Sequence, residues 1–472
     1  MADKWIVLKF GGTSVAGRPQ WDTITSLANM RRAEGFRVLL VCSAVAGVTD
    51  RLNALAYKPD SPELLEELLD THRKLGRELE VDEQDWFPES RLQFQECLQD
   101  LSHEPGPQFR ASLLAMGEWL STKIGCCFLR QNMDAAWVDV REALEILHEK
   151  DLSPARQWLS ADCRAAEAPG LAGRWSALSP VLITQGFVAR TKEGKTVLLG
   201  RGGSDTSAAL LAGRLSAERL EIWTDVPGLF SADPRLISDA RLLTEVDYAE
   251  ALEMAASGAS VVHPRSIRAA AATKTPVVIR DLNRRSVAGT RIGRRVSDET
   301  GIKTVTCQEQ MAVILLQNLD ARFEVGFLAE VFEIFRRRGI SIDLVATSET
   351  TTTVAINCQT NHLGNDELDD LVENLGKRCK VTLFKQCVCV NLVGRGARTA
   401  LSRLQEVMQY FQQHSLLMVS QSANDLCLSL LINSGEHEAL LKSAHRALIP
   451  TDDVQPGRVF GASWKQIQLV VD

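Results

Sequence analysis

At 472 residues the chain exceeds what one compact core accommodates, so two or three domains are expected. Its 45% hydrophobic and 24% charged residues are those of an ordinary soluble globular protein, and a formal net charge of -7 argues against a polyanion-binding surface and against nucleic acid as a partner. The 11 cysteines include no CxxC pair, and the closest neighbours, Cys126-Cys127 and Cys387-x-Cys389, lack metal-site spacing; reduced thiols, a cytoplasmic setting and no metal centre are expected.

The N-terminal MADK leads straight into strand-like sequence, and no apolar run approaches the roughly 18 residues that a membrane span needs. From residue 1 to about 295, short apolar runs ("WIVLKF", "RVLLVCSA", "AAWVDV", "VLITQGFVAR", "TVLLG", "LEIWTD", "PVVIRD") alternate with helix-like segments. Strands buried on both faces read this way, so the expectation is an α/β domain with a mainly parallel central sheet. Residues 61 to 104 interrupt it as a helical excursion with a solvated acidic face, opened by a Ser61-Pro62 cap. The polar, basic stretch 281 to 301 is the expected interdomain connection.

Beyond it a weak repeat runs at a constant offset of 76: "AVILLQN" at 312 matches "VCVNLVG" at 388, Phe335 matches Phe411, Ile340 and Ile342 match Leu416 and Met418, and "VAIN" at 354 matches "LLIN" at 430. Each copy reads strand, helix, strand, strand, helix, strand, the ferredoxin-like βαββαβ unit. The expected division is therefore 1–295, 303–385 and 386–472, with room for one of the two small modules to be interrupted by the other.

Two glycine loops carry the chemistry. In "VLKFGGTSV", Lys9 ends an apolar run and is followed by Gly11 and Gly12, whose bare backbone allows an anion to approach. A strand-end lysine before a tight turn is also a common solvated charge, and this motif alone does not separate the two. In "LLGRGGSDTSAALLAGRL", Gly202, Gly203 and Ser204 would present N–H groups at a helix start. Asp205 would then either cap that helix or orient a lysine and a phosphate-bound metal. "GRGGSD" lacks the last glycine of G-x-G-x-x-G, and "ARTKEGKT" has Ala189 where a P-loop needs glycine. HExxH, G-x-S-x-G and the HRD and DFG pair are missing as well. "IWTDVPGLFSADPR" could enclose a base and ribose or form an ordinary turn. Glu118, in the apolar "GEWLS", needs a cation such as a substrate amine.

"KFGGTSVA", "SAVAGVTD", "MGEWLS", "GRGGSDTSAA", "WTDVPGLFSADPR", "SGASVVHPRSI" and the paired C-terminal modules stand in the order found in aspartokinases, which the whole chain resembles. The resemblance implies the amino-acid kinase fold followed by two ferredoxin-like ACT domains. It also implies transfer of the γ-phosphoryl of ATP to the β-carboxylate of L-aspartate, the first step of lysine, threonine and methionine biosynthesis. By it, Lys9 and Asp205 are catalytic, and Ser43, Thr49, Glu118 and Arg201 hold aspartate. Gly11, Gly12, Gly202, Gly203, Ser204, Thr224, Asp225, Phe230, Asp233 and Arg235 take ATP, with Mg²⁺ held mainly by the phosphates rather than by protein ligands. In one departure, the family's G-A-K-V-x-H-P reads "GASVVHP" here, so Ser260 replaces a lysine; Arg235, Arg265 or Lys274 would have to supply the cation, or turnover falls.

Phe327, Leu328, Ser341, Asp343, Ser348 and Glu349 are similar to the effector site of the lysine-sensitive type, which implies feedback by L-lysine, with threonine as the alternative. Asp343 would pair with the ammonium, unless it only caps a turn. A homodimer or larger assembly through the ACT modules is also implied. Competing readings are an acetylglutamate-type kinase, an amino-acid sensor with a weakened kinase domain, and the kinase half of a fusion with homoserine dehydrogenase or diaminopimelate decarboxylase.

Overall fold

A computed structural model describes residues 4–59, 61–99, 106–147, 153–168, 170–259, 261–294, 300–317, 326–400, 415–433, 437–450 and 459–470. The apolar runs of the first half become β1 (Trp5–Phe10), β2 (Arg37–Cys42), β3 (Ala135–Trp137) and β4 (Val181–Gln185), then β5 (Val188–Arg190), β6 (Thr196–Leu198) and β7 (Arg219–Thr224). After them come β8 (Arg241–Leu243), β9 (Glu245–Asp247), β10 (Val277–Asp281) and β11 (Thr290–Gly293). Eight of these strands form one sheet, β3-β4-β2-β1-β7-β10-β11-β9. Its pairings are parallel except that of β10 with β11. Ile6, Val7 and Leu8 in β1 and Val38 to Val41 in β2 are fully buried. Helices cover both faces, so strands that lack alternation are stabilised on two sides, by about 1.5–3 kcal/mol per large apolar side chain.

Three expectations change in detail. "VLITQGFVAR" is not one strand: Phe187 adopts a left-handed backbone (φ +67°) that turns the chain out of the sheet, and β5 pairs with β6 instead. "AAWVDV" yields three strand residues and then a 3-10 turn at Val140–Glu142. The stretch 281 to 301 includes, among its described residues, the short strand β11. Its Thr290, fully buried, accepts from the Leu229 N–H (2.8 Å) and donates to the Leu243 carbonyl (2.6 Å), which ties β11 to β8, while pairing with β10 and β9 sets β11 in the sheet. The excursion after residue 60 consists of helices Pro62–Glu78 and Phe87–Gln99, and the Ser61 hydroxyl accepts the Leu64 N–H as its composition predicts.

The repeat region forms a second, antiparallel sheet from β12 (Thr304–Gln317), β13 (Leu344–Thr347), β14 (Thr351–Asn357), β15 (Lys380–Val393), β16 (Leu416–Gln421) and β17 (Cys427–Ile432). The order is β13-β14-β12-β15-β17-β16. β12 and β15, each 14 residues long, serve both copies. Their outer ends (Met311 to Gln317 with Lys380 to Cys387) join β13 and β14, while Thr304 to Gln308 pairs with Cys389 to Val393 beside β17 and β16. Gln310 and Gln386, equivalent in the repeat, both take a left-handed backbone (φ +56° and +57°) where the two strands change partners. The expected boundary at 385/386 thus falls inside a continuous strand. The second copy borrows its fourth strand from the start of β12, and its own last strand, β18 (Phe460–Ser463), pairs with β8 of the first half instead. Phe411 of the repeat lies outside the described residues.

Further bonds tie the halves together. Thr304 Oγ1 donates to the Phe230 carbonyl (2.8 Å), Thr306 Oγ1 to that of Ser257 (2.6 Å), and Lys303 Nζ meets Glu250 at 2.6 Å in a buried pair. Among the described residues no helix is long and apolar enough to cross a membrane, and all eleven cysteines are free.

Candidate active site

Parallel strands end at a common edge, where loops can gather around a ligand. Lys9 stands near the carboxyl end of β1, between Val41 of β2 and Ile222 of β7. Its Nζ lies 2.6 Å from Asp205 Oδ1, with the two side chains 12% and 15% exposed. The contact is an ion pair by proximity, for that oxygen accepts no aligned hydrogen bond. Asp205 occupies the first turn of helix Gly203–Arg214, whose cap is Gly202 without any side-chain cap bond, so capping is not its task. Gly202 is required twice: its φ is +66°, and a Cβ would stand 2.3 Å from the His263 Cβ. Gly202, Gly203 and Ser204 of that helix start line the cleft, and a helix N-terminus favours an anion.

Glu118 arrives from helix Pro107–Arg130. Gly117 lets this helix close onto the β2 end, since a Cβ there would meet the Ala44 Cβ at 2.8 Å. Glu118 is buried and its Oε2 has no partner. Burial pushes its carboxyl up to about 8, against the opposing pull of the Ala44 and Glu118 N–H groups. The free chain therefore holds this carboxyl largely protonated at neutral pH, and a cation beside Oε2 would favour its ionised form.

A cleft of about 580 Å³ collects Lys9, Gly11, Gly12, Ser43, Thr49, Glu118, Arg201, Gly202, Gly203, Ser204 and Asp205. Sequence reasoning missed Phe187, which also lines it, and a second helix start: helix Val48–Tyr57 is capped by Gly47 at φ +78°. The signal for the latter was present in "AGVTD", a glycine directly before an amphipathic run.

The other expected nucleotide residues line a separate cavity of about 600 Å³. Thr224 ends β7 one step beyond the Phe10–Trp223 pair, on the same sheet edge as Lys9. Asp225, Phe230, Asp233 and Arg235 complete that wall. Arg235 is held to Asp233 at 2.7 Å. The same cavity is also lined by residues missed in the sequence: Thr304, Thr306 and Cys307 from β12 with Leu441, Trp464 and Arg284.

Ser260 lies outside the described residues. Two of the cations named as possible replacements have contacts of their own. Arg265 is committed to the carbonyls of Ala161 (2.6 Å) and Leu199. Lys274 caps the far end of helix Pro264–Thr273.

The effector candidates fall into groups. Asp343 Oδ2 accepts the Asn357 N–H (2.7 Å), and Ser341 beside it exchanges bonds with Asn361. Ser348 and Glu349 form the exposed turn at the other end of β13, about 16 Å away along an extended strand. Phe327 and Leu328 open helix Phe327–Arg337 behind Gly326. Within one chain, Asp343 and the Ser348 turn do not meet.

A lysine–aspartate ion pair beside helix starts at the carboxyl edge of a parallel sheet is the apparatus of a small-molecule kinase. Residues 4–281, more than half of the chain, match the model of the amino acid kinase family, and the chain belongs to that family. It is 30% identical over 459 residues to lysine-sensitive aspartokinase 3 of Escherichia coli (strain K12), covering 94% of this chain and 99% of the relative. Two solved structures of E. coli aspartokinase III are similar, each 29% identical. One, with aspartate and ADP (R-state), has a TM-score of 0.77 and coverage of 95% and 100%; the other, with lysine and aspartate (T-state), has 0.74 and 94% and 100%. The likeness runs through both halves and sets the chain among the aspartokinases of the family.

Proposed function

We propose that this aspartate kinase transfers the γ-phosphoryl group of ATP to the β-carboxylate of L-aspartate, giving 4-phospho-L-aspartate, the entry step to lysine, threonine and methionine. The observation that carries the reading is the pairing, across one cleft, of the Lys9–Asp205 ion pair with a buried Glu118 whose Oε2 lacks a partner. A carboxylate attacking a polyphosphate meets like charge, so the protein must chiefly position and neutralise. Lys9 and the helix starts at Gly202 and Gly47 offset phosphate charge. Glu118 accepts the substrate α-ammonium, and the exposed guanidinium of Arg201 at the rim grips the α-carboxylate. Asp205 holds Lys9 in place.

The base and ribose occupy the Phe230 cavity, and the triphosphate runs over the end of β7 toward Lys9. Mg²⁺ would be held mainly by the phosphate oxygens. Such an ion supplies further neutralisation of the transferring group. The relative solved with aspartate and ADP supports both substrates.

The second sheet reads as the two regulatory ACT domains, sensing L-lysine as in the relative solved with it. Because Asp343 and Ser348 stand apart within one chain, a lysine held by both would need a second copy, consistent with a homodimer.

Trapping aspartyl phosphate with hydroxylamine in the presence of ATP, Mg²⁺ and aspartate tests the activity. Lys9→Ala should lower kcat by roughly 10²–10³-fold with the fold intact. Product formation by that variant at the parent rate would overturn the assignment. Absence of product from the parent chain, with lysine binding retained, would favour the sensor, a reading motivated by Ser260. Lysine at millimolar levels should inhibit; if threonine inhibits instead, the effector assignment changes.

A further inference from the structure

We infer that Trp464, at the start of the C-terminal helix Trp464–Gln468, is a contact for the nucleotide base, so that the pocket for the base is completed by the chain's regulatory end. This rests on the nucleotide reading of the Phe230 cavity. The indole lines that cavity together with Thr224 and Asp225, and it is held on two sides. Its ring meets Phe230 edge to face at 5.5 Å and 87°, and the Arg284 guanidinium covers it at 5.4 Å while anchored to Asp281 at 3.0 Å. The backbone is equally fixed. The Trp464 N–H donates to the Ala240 carbonyl (2.8 Å), the preceding strand β18 pairs with β8, and Ser463 and Gln466 close a capping box at the helix start.

An aromatic ring pinned before the ligand arrives costs little entropy when the ligand binds. A purine offers a π-face, and base-to-aromatic stacking is tolerant of which base is present. Half-buried and perpendicular to Phe230, Trp464 forms an aromatic corner in the cavity lining against which a planar heterocycle can pack. The phosphate end has different needs, met across the sheet edge by Lys9. Trp464 therefore acts on nucleotide affinity and not on aspartate.

The test uses ADP as the probe and calorimetry on the full chain. Trp464→Ala should raise the ADP Kd roughly tenfold, the scale of one lost stacking partner. Trp464→Phe should stay within about threefold of the parent, and KM for aspartate should hold in both. In the parent labelled with 5-fluorotryptophan, the resonance among nine that vanishes in Trp464→Phe should shift with ADP and not with aspartate. A Trp464→Ala chain that binds ADP within twofold of the parent, or a Trp464 resonance unmoved by ADP, overturns the inference. Hydrogen exchange separates the two levels. If ADP protects residues 224–235 while Trp464→Ala binds normally, only the Trp464 contact is lost. If ADP leaves that segment unprotected, the nucleotide reading of the cavity fails with it.

Discussion

Glu118→Gln is the most revealing single change. The glutamine keeps the size of the side chain and mimics its protonated form. In the folded chain the carboxyl titrates near 8 against an ordinary value of 4.5. Because the folded value is raised, full stability is present below 4.5, and it is lost progressively as pH rises through 8, where the buried group must ionise. Three and a half units correspond to about 5 kcal/mol, an upper bound that water entering the cleft would reduce. Urea unfolding of the two chains should therefore agree near pH 4.5 and diverge above it, with Glu118→Gln the more stable at pH 8 to 9.

Catalysis should move the other way. An ammonium beside Oε2 favours the ionised carboxyl, so aspartate binding at pH 7 displaces a proton, which calorimetry in buffers of different ionisation enthalpy detects. Glu118→Gln should release none and should bind aspartate more weakly by about 2–5 kcal/mol, the cost of truncating one partner of a buried charge pair. Unfolding curves that coincide at all pH values, or equal proton release from both chains, would refute the reasoning.

Two further changes probe the scaffold. Gly202→Ala forces a side chain into a left-handed backbone and against the His263 Cβ, so it should destabilise by about 1–3 kcal/mol and raise KM for ATP, as unfolding and steady-state rates will show. Lys303→Met leaves Glu250, 1% exposed, without its cation, and should cost about 3–5 kcal/mol in urea unfolding. Adding Glu250→Gln should recover most of that loss.

Local signals disclosed much of the molecule. Lys9, Gly11 and Gly12 follow an apolar run at the end of β1, and Gly202 to Asp205 open a helix, so glycine punctuation alone marked two walls of the cleft. Glu118 declared itself as a charge in an apolar helix. What local pattern could not disclose was pairing across long separations. β18 finds β8 more than two hundred positions away, and nothing in "VFGAS" distinguishes that partner from the sheet its own repeat would offer. The 76-residue periodicity was visible, yet periodicity does not say which copy lends a strand to which. Phe187 was hidden because one left-handed residue broke a run that reads as continuous strand. Trp464 entered the Phe230 cavity by the same long-range route as β18.

The shared strands β12 and β15 have a consequence for how such a chain can be rebuilt. Since Gln308 pairs with Cys389, the polypeptide enters and leaves the outer half of the second sheet side by side. Everything between those residues is topologically a cassette, set into a ladder that persists on its inner side. A cassette from a relative tuned to a different amino acid would join at two neighbouring attachment points, and would also have to reproduce the packing of Met311, Val313 and Ala355 against Met418 and Leu431.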